Sequence, residues 1–374
     1  MTKALPCPKL EVRDLGKRYG DAIALEPSSL AINAGEFMTL LGPSGSGKTT
    51  LLQMISGLTE PTSGKVLIDG CDCTAIPVYR RDMGMVFQSY ALFPHMSVEE
   101  NIAFPLKMRG WSRGAIPAAV DRALDMVQMS HLKGRLPREL SGGQQQRIAL
   151  ARCFVYQPSV ILMDEPLGAL DKNLREHMQV EIMRLHRDLK ATIVYVTHDQ
   201  EEALAMSDRI CLMSNARIEQ VDTPNNIYLR PKSLFAARFI GESNILSGDV
   251  RSNGRGGFEL DCGGFRVPID GGYQAGSHID LLIRPEHVRF TNGPGETLVR
   301  GVVRERIFAG AQVKILLELP GGVVMIARMS NDQVLPEVNA AQGLAWPLDS
   351  TVLLDADSKT HRERKRPKPL EVVA

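Results

Sequence analysis

The sequence contains few features that would place it within a membrane or on nucleic acid. Its 374 residues include no apolar run of transmembrane length, and its amino terminus has no signal-peptide pattern. Aromatic residues make up 5% of the chain and the formal net charge is +1, which argues against the basic, aromatic surface of a nucleic-acid binder. We therefore expect a protein that stays in the cytosol, does not bind nucleic acid and forms two domains at this length.

Cysteine is also scarce, and its six residues are scattered along the chain. Cys71 and Cys73 form a lone C-x-C, and no second pair lies at the spacing of a zinc site. We expect free thiols in a reducing compartment rather than a metal site. The six cysteines are Cys7, Cys71, Cys73, Cys153, Cys211 and Cys262.

Small and polar residues are concentrated in one stretch, LLGPSGSGKTTLL, which spans residues 40–52. It fits the pattern G-x-x-x-x-G-K-S/T, which is typical of a phosphate-binding loop between a strand and a helix. The preceding EFMTLL is almost continuously apolar and predicts a buried strand. The following KTTLLQMISG predicts a helix that ends at Gly57.

The residue types in this loop suit a nucleotide phosphate. Glycine lets backbone amides approach the phosphate, and the helix amino terminus adds N–H groups and partial positive charge. Lys48 offers a positive charge to the β- and γ-phosphates, and Thr49 offers a hydroxyl to Mg²⁺. The predicted ATP-binding residues are Gly42, Pro43, Ser44, Gly45, Ser46, Gly47, Lys48, Thr49 and Thr50.

Two later strands are predicted to end at the same edge of the sheet. VILMDEP is a short apolar run that ends in Asp164, which suits Mg²⁺, and Glu165, which could orient or deprotonate a water. TIVYVTHDQEEA predicts another strand, with His198 at its end and a helix from Asp199. A lone histidine is often structural, but this position favours contact with the γ-phosphate.

The stretch LSGGQQQR, residues 140–147, lies between the phosphate loop and VILMDEP. A serine can cap a helix amino terminus, and two glycines let a phosphate approach the amides. With this stretch, the chain resembles the ATPase subunits of ATP-binding-cassette (ABC) transporters. The resemblance implies that the signature of one subunit completes the ATP site of another. The signature residues are Leu140, Ser141, Gly142, Gly143 and Gln144.

The resemblance covers residues 9–240 and implies roles for further side chains. Tyr19 is similar to the aromatic that stacks on adenine, although a surface tyrosine before a turn is the alternative. Gln88 is similar to the glutamine that contacts Mg²⁺ and the attacking water. Asp171 is similar to the loop aspartate at the dimer interface. Gly168 stands where many relatives have serine, and we expect little effect because the aspartate is intact.

In the mechanism that the resemblance implies, four side chains act directly on ATP. Glu165 is the general base, Lys48 stabilises developing charge together with Mg²⁺, His198 senses the γ-phosphate, and Gln88 orients the water. Phosphoryl transfer then depends on positioning and charge neutralisation in a site that closes against water.

The resemblance also implies the domain organisation. We expect an α/β P-loop ATPase domain over residues 1–240, with an inserted helical subdomain at about 90–155. Within the insertion we expect a capping box at Ser97 and Glu100, and breaks at Pro105, Gly110 and Pro117. Membrane subunits would dock near Gln88, where some apolar residues of YALFPHM line the cleft.

From residue 241 the pattern changes to short β-rich runs between glycine turns. FELDCGGFRVPI, HIDLLIRPEHVRF and VKILLELPGGVVMIARM predict a small β-barrel. It resembles the oligonucleotide-fold-like regulatory domain of many ABC importers, here over residues 241–360. The basic, proline-rich tail at 361–374 is predicted to be disordered, with membrane contact as the alternative.

These expectations combine into the energy-coupling subunit of an importer at the cytoplasmic face of the plasma membrane. Its implied partners are two permease subunits, a second ATPase subunit, expected to be identical, and indirectly a solute-binding protein. FIGESNIL, LLIRPEHVRF and GVVRERIFAGA resemble the regulatory domains of importers for the polyamines spermidine and putrescine. Related subunits serve ferric iron, opines, phosphonates, sulfate and sugars, so the cargo stays open.

Two other classes of protein remain as alternatives. A non-transport ABC ATPase acting on DNA or ribosomes normally has a long coiled coil or two cassettes, whereas this chain has one phosphate loop and no sustained heptads. A P-loop kinase would need an acceptor site and would have no use for LSGGQQQR.

Overall fold

The computed structural model describes residues 7–355 except Ala169, Arg255, 271–273, Asn292 and 294–295. The chain forms two compact units that divide between Asn225 and Asn226. The boundary at 240/241 stays a prediction, and the tail at 361–374 lies outside the described residues. All six cysteines are free thiols, as predicted. Among the described helices, none is long and apolar enough to span a membrane.

The first unit is built on a six-stranded sheet in the order β10-β9-β3-β8-β7-β6. All pairs except β10–β9 are parallel, so five strands bring their carboxyl ends to one edge. The predicted strands β3 and β8 are buried along their whole length. The strands are β3 (Phe37–Leu41), β6 (Met83–Val86), β7 (Val160–Asp164), β8 (Ile193–Thr197), β9 (Arg209–Ser214) and β10 (Arg217–Asp222).

A second sheet of the first unit is antiparallel, in the order β2-β1-β4-β5. Helix α1 (Lys48–Ser56) contacts strands of both sheets and buries Leu51, Leu52 and Ile55 in their shared core. The phosphate loop is therefore fixed at both ends, by β3 and by α1. The strands are β1 (Leu10–Tyr19), β2 (Ala22–Ile32), β4 (Ser63–Ile68) and β5 (Cys71–Asp72).

The helices between β6 and β7 share one core with β6, β7, β8 and the helix after β7. The predicted capping box at Ser97 and Glu100 is present. The break predicted at Pro105 is wrong, because the helix continues to Met108. Buried Ile102 and Leu106 on either side of the proline hold that helix against the core. The helices are α2 (Val98–Met108), α3 (Ile116–Met126), α4 (Gly142–Phe154), α5 (Lys172–Leu189) and α6 (Gln200–Met206).

Gly110 does follow the end of a helix, with φ of 72°, as a break requires. Pro117 lies in the first turn of α3, where a proline costs no intrahelical hydrogen bond. These two positions bound the connection between α2 and α3, as predicted.

The second unit consists mainly of two five-stranded antiparallel sheets, in the orders β13-β12-β11-β14-β20 and β15-β19-β16-β17-β18. Their inner faces share one core. In the described residues the strand pairing gives two sheets, rather than the single barrel that the spacing predicts. Helix α7 (Pro224–Leu229) spans the division between the units, and α8 (Leu234–Phe239) follows it. The strands are β11 (Asn244–Ser252), β12 (Phe258–Asp261), β13 (Arg266–Ile269), β14 (His278–Ile283), β15 (Arg289–Thr291), β16 (Val299–Ala309), β17 (Gln312–Glu318), β18 (Val324–Ser330), β19 (Ala341–Ala345) and β20 (Val352–Asp355).

Candidate functional site

The phosphate loop contains glycines at positions where a larger residue would clash or strain the backbone. A Cβ on Gly42 would lie 2.2 Å from the carbonyl oxygen of Met213. Gly47 has φ of 97° and occupies the N-cap of α1. Within the described residues, no side chain caps this helix. The first N–H groups of α1 are therefore left for a ligand, and the helix dipole favours an anion there.

Lys48 is the first residue of α1, and its ammonium lies over the loop. Its Nζ donates to the carbonyl oxygens of Gly42, at 2.8 Å, and Pro43, at 2.9 Å. The residue is 5% exposed, and this burial lowers its pKa, against the opposing charges of Glu165 and Asp164. Two neutral carbonyls hold the ammonium over the loop, where an anionic ligand could accept a charge-assisted hydrogen bond from it.

Thr49, in the first turn of α1, lies close to Asp164, at the end of β7. Their Oγ1 and Oδ1 atoms are 3.4 Å apart. Burial raises the pKa of Asp164, and the Thr49 hydrogen bond opposes this effect. A hydroxyl and a carboxylate are hard oxygen donors of the type that Mg²⁺ takes, usually together with substrate phosphates. In the described part of the chain there is no cluster of three His, Cys, Asp or Glu side chains that would hold a metal ion without such a substrate.

The remaining loop residues vary in exposure. Pro43, Ser44 and Gly45 are exposed, and Thr50 is half-buried in the first turn of α1. Ser46 is 1% exposed, and its hydroxyl has no hydrogen-bond partner among the described residues. This hydroxyl is a further polar group inside the phosphate loop.

Glu165 and His198 form a pair at the ends of β7 and β8. The His198 Nδ1 lies 3.2 Å from the Glu165 Oε2. Glu165 has φ of 44°, an uncommon value for a residue other than glycine. The His198 side chain is 60% exposed, so it is not a core histidine. The pair is open to a ligand at the sheet edge.

Gln88 reaches the same region from the end of β6. A Cβ on Gly168 would lie 3.8 Å from the Gln88 Nε2 and 3.9 Å from the Glu165 Oε2, so both side chains flank this glycine. Four neighbouring parallel strands thus bring the phosphate loop, Asp164, Glu165, His198 and Gln88 to one edge of the sheet. Ligands bind at this edge in open α/β sheets.

The structure places the other predicted residues on separate elements. Tyr19 ends β1, is 56% exposed and has the Lys17 ammonium 4.8 Å from its ring centroid. Asp171 is the N-cap of α5, and its carboxylate accepts from the backbone N–H of Leu174 at 3.0 Å. Neither observation tests the role that the resemblance implies.

The signature stretch forms the start of α4. Ser141 caps the helix as predicted, in a capping box with Gln144, while Leu140 is buried before it. A Cβ on Gly143 would lie 2.8 Å from Leu174, whereas one on Gly142 would have its nearest neighbour at 3.9 Å. Gly142 is therefore less crowded than Gly143, with only an ordinary van der Waals neighbour, Leu170, at this distance.

Sequence reasoning missed two groups of residues around the site. Arg175 and Glu202 surround Asp199, which was predicted only as a helix start. Arg152 donates to the carbonyl oxygens of Tyr90 and Ala91, both of which have positive φ. The contacts of Arg175 with Asp199 and of Arg152 with the Tyr90 loop join positions far apart in the sequence, so no local pattern indicated them.

An apolar groove lies beside the Gln88 loop, with a volume of about 340 Å³. Tyr90 of YALFPHM is buried, while Ala91 and Phe93 line the groove. Phe93 packs on Phe104 of α2, with ring centroids 4.7 Å apart. The groove is lined by Met85, Phe87, Ala91, Phe93, Phe104, Pro105, Arg152, Cys153 and Tyr156.

Models of two known protein families match parts of the two units. A family model described as "ABC transporter" matches residues 25–168, which include the phosphate loop, the signature and Glu165. A second model, described as "TOBE domain", matches residues 281–354 in the β-rich unit.

Curated relatives match over most of the chain. A Pseudomonas aeruginosa protein named spermidine/putrescine import ATP-binding protein PotA is 44% identical over 371 residues, covering 93% of this chain and 99% of that protein. The Chromobacterium violaceum protein of the same name is 43% identical over 330 residues, covering 86% of this chain and 91% of that protein.

A solved structure is similar to part of the chain. It is cbiO1 from Clostridium perfringens, described as part of the ABC transporter complex cbiONQ. The TM-score is 0.55 at 29% identity, and the match covers 59% of this chain and 90% of the other.

Proposed function

The chain belongs to the ABC transporter ATP-binding family and is an ABC-type ATPase, and on this basis we propose that it powers a membrane importer of polyamines. The observation that supports the site most strongly is the meeting of Lys48, Asp164, Glu165 and His198 at one sheet edge. A loop without these groups could hold a phosphate but could not activate a water.

We propose that ATP binds with its phosphates at the start of α1. The uncapped N–H groups and the Lys48 ammonium hold the β- and γ-phosphates. Tyr19, exposed at the end of β1, stacks on the adenine. Thr49, Asp164 and Gln88 are the residues that would hold Mg²⁺, which when bound supplies positive charge against the phosphates.

Hydrolysis in this proposal uses the pair of side chains at the ends of β7 and β8. Glu165 accepts a proton from the attacking water, and Gln88 orients that water. His198 contacts the γ-phosphate and, through its Nδ1, keeps Glu165 in position. Lys48 stabilises the negative charge that develops on the phosphate oxygens.

Each site needs a second chain to close it. We propose that the start of α4 approaches the γ-phosphate of ATP bound to the partner ATPase subunit, with Ser141 as donor and Gly142 leaving room for the phosphate. Asp171 lies in the loop at this interface. Closure excludes water other than the one that reacts. The signature residues that take part are Leu140, Ser141, Gly142, Gly143 and Gln144.

The groove beside Gln88 is where permease subunits would dock. Its apolar lining and its position next to the loop of Gln88 support this assignment. In this arrangement the chain lies at the cytoplasmic face of the membrane, bound through two permease subunits, and a solute-binding protein delivers the cargo to them. The importer role of both curated relatives supports this direction of transport.

The names of those relatives support spermidine and putrescine as cargo. The test is uptake of each labelled polyamine by source cells that carry wild-type protein or Glu165→Gln. We expect loss of uptake with Glu165→Gln and normal uptake with Glu176→Gln, an exposed glutamate on α5.

Unchanged polyamine uptake with Glu165→Gln, in cells that have no second importer, would contradict the proposed cargo. The ATPase role is tested separately on purified protein. Glu165→Gln should hydrolyse almost no ATP and should form a dimer when ATP and Mg²⁺ are added. Normal hydrolysis by this variant would contradict the proposed mechanism.

A further inference from the structure

The Arg175 side chain joins two loops of the first unit. Its Nη1 donates to the Asp199 Oδ2 at 3.0 Å, and its Nη2 donates to the carbonyl oxygen of Leu170 at 3.0 Å. Its Nε also lies 3.8 Å from the Glu202 Oε1. A guanidinium is planar, so its two ends hold both loops at a fixed separation.

Each of these loops carries a residue of the proposed site. Leu170 directly precedes Asp171, which caps α5. Asp199 directly follows His198, which lies 3.2 Å from Glu165. The hydrogen bonds of Arg175 are therefore one residue away from the interface aspartate on one side and from the histidine on the other.

Asp199 is held in place by several further hydrogen bonds. Its Oδ1 accepts from the backbone N–H groups of Glu201, at 2.8 Å, and Glu202, at 3.2 Å, and so caps α6. Its own N–H donates to the Thr197 Oγ1 at 3.0 Å. A shift of Asp199 would therefore move the start of α6 and the end of β8 together, with His198 between them.

The ion pair is also better shielded than an ordinary surface pair. The Arg175 and Asp199 side chains are 30% and 27% exposed. Exposed ion pairs contribute little to structure, whereas partly buried, hydrogen-bonded pairs are stronger. A comparison is available on the same helix, because Arg184 pairs with Asp188 at 3.7 Å and both side chains are more than half exposed.

We propose that Arg175 is a positioning residue that places His198 against Glu165 according to the position of the Asp171 loop. The inference rests on the proposed function, because it needs Glu165 and His198 to act on ATP and the Asp171 loop to meet a second chain. When pairing of two chains moves the Asp171 loop, Arg175 transmits the displacement to His198. In this way the rate of ATP hydrolysis depends on the pairing of the two chains.

The test uses full-length protein with Arg175→Gln, Asp199→Asn, the double variant and the control Arg184→Gln. Asparagine caps a helix as well as aspartate does, so Asp199→Asn removes the charge and keeps the start of α6. The measurements are kcat and KM for ATP hydrolysis and the melting temperature.

We expect each single variant to lower kcat about tenfold, with KM for ATP changed less than about twofold. The double variant should be no slower than the slower single variant, because both remove the same connection. Arg175→Lys, which keeps the charge without the fork, should lie between wild type and Arg175→Gln. Arg184→Gln should match wild type in every measurement.

Three results would overturn the proposal. These are an unchanged kcat in both single variants, additive losses in the double variant, and a parallel fall of kcat, ATP affinity and melting temperature, as a purely structural pair would give. If Arg175→Gln does not fold, the kcat, KM and melting temperature of Asp199→Asn test the proposal. Glu165→Gln separates this failure from that of the proposed function: if it is inactive while both single variants are fully active, only the role of Arg175 fails.

Discussion

The two helices that follow glycine-rich stretches, α1 and α4, begin in opposite ways. At α1, Gly47 occupies the N-cap with φ of 97° and, in the described residues, no side chain caps the helix. At α4, Ser141 caps the helix, and Gln144 bonds back to the Ser141 N–H at 2.9 Å. The start of α4 is thus satisfied by its own side chains, whereas the start of α1 is left for a ligand.

This difference supports the proposal that the two helix ends bind phosphate in different ways. In the proposed function, the start of α1 holds the phosphates of its own ATP and gains stability from them. The start of α4 has its own side-chain cap, so in the proposed function it is already formed before it meets the ATP of another chain. Substitutions at the two ends should accordingly differ in what they change.

The largest effect is expected where the ligand is held most strongly. Lys48→Ala removes the buried ammonium over the phosphate loop. We expect ATP binding to weaken by about 100-fold, since hydrogen bonds from a charged donor to the phosphates are lost. Titration with a fluorescent ATP analogue measures this. The control is Lys65→Ala, because Lys65 forms an exposed ion pair with Asp72, and this variant should bind ATP normally. Equal ATP affinity in the two variants would contradict the role of Lys48 in binding ATP.

Substitution of the glycines at the starts of α1 and α4 should change the free energy of unfolding by different amounts. Gly47→Ala introduces a Cβ 3.0 Å from the Ala24 carbonyl oxygen, at a backbone conformation that alanine rarely adopts. We expect it to lower the free energy of unfolding by about 2 kcal/mol. Gly142→Ala places a Cβ at an ordinary van der Waals distance, 3.9 Å, from Leu170 and should change the free energy of unfolding by less than about 1 kcal/mol. Urea unfolding measures both, and a larger loss for Gly142→Ala would reverse the comparison.

A smaller effect than that of Gly47→Ala is expected from the cap of α4. Ser141→Ala removes the hydroxyl that accepts from the Gln144 N–H, and we expect a loss of about 1 kcal/mol in the free energy of unfolding. ATP binding by the single chain should stay unchanged, whereas hydrolysis by the paired chains should fall. Weaker ATP binding in the monomer would show that α4 serves its own chain's site.

The sequence allowed prediction of the parts of the site that depend on local chemistry. The order strand, loop and helix around Lys48, the Ser141 cap and the capping box at Ser97 all follow from residues within a few positions of each other. The strand ends at Glu165 and His198 could be expected to meet because parallel strands share an edge.

Other features depend on contacts that local patterns do not reveal. Strand β1 was not predicted, because positive φ at Asp14 and register shifts between Val12 and Leu15 break the apolar alternation. Pro105 was predicted to end α2, but packing of the buried face overrides the proline. The link from Arg175 to Asp199 joins residues 24 positions apart and became visible only in three dimensions.

The sharing of sites between two chains is the central claim, and mixing two inactive variants tests it most directly. Lys48→Ala leaves the signature intact, and Gly142→Val leaves the phosphate loop intact. We expect the second variant to fold, because a Cβ at Gly142 would meet no atom closer than Leu170 at 3.9 Å. A mixed dimer then has one complete site. After subunit exchange, ATP hydrolysis should recover to about one quarter of wild type, because half of randomly paired dimers are mixed. No recovery, with mixed dimers shown to be present, would contradict the account.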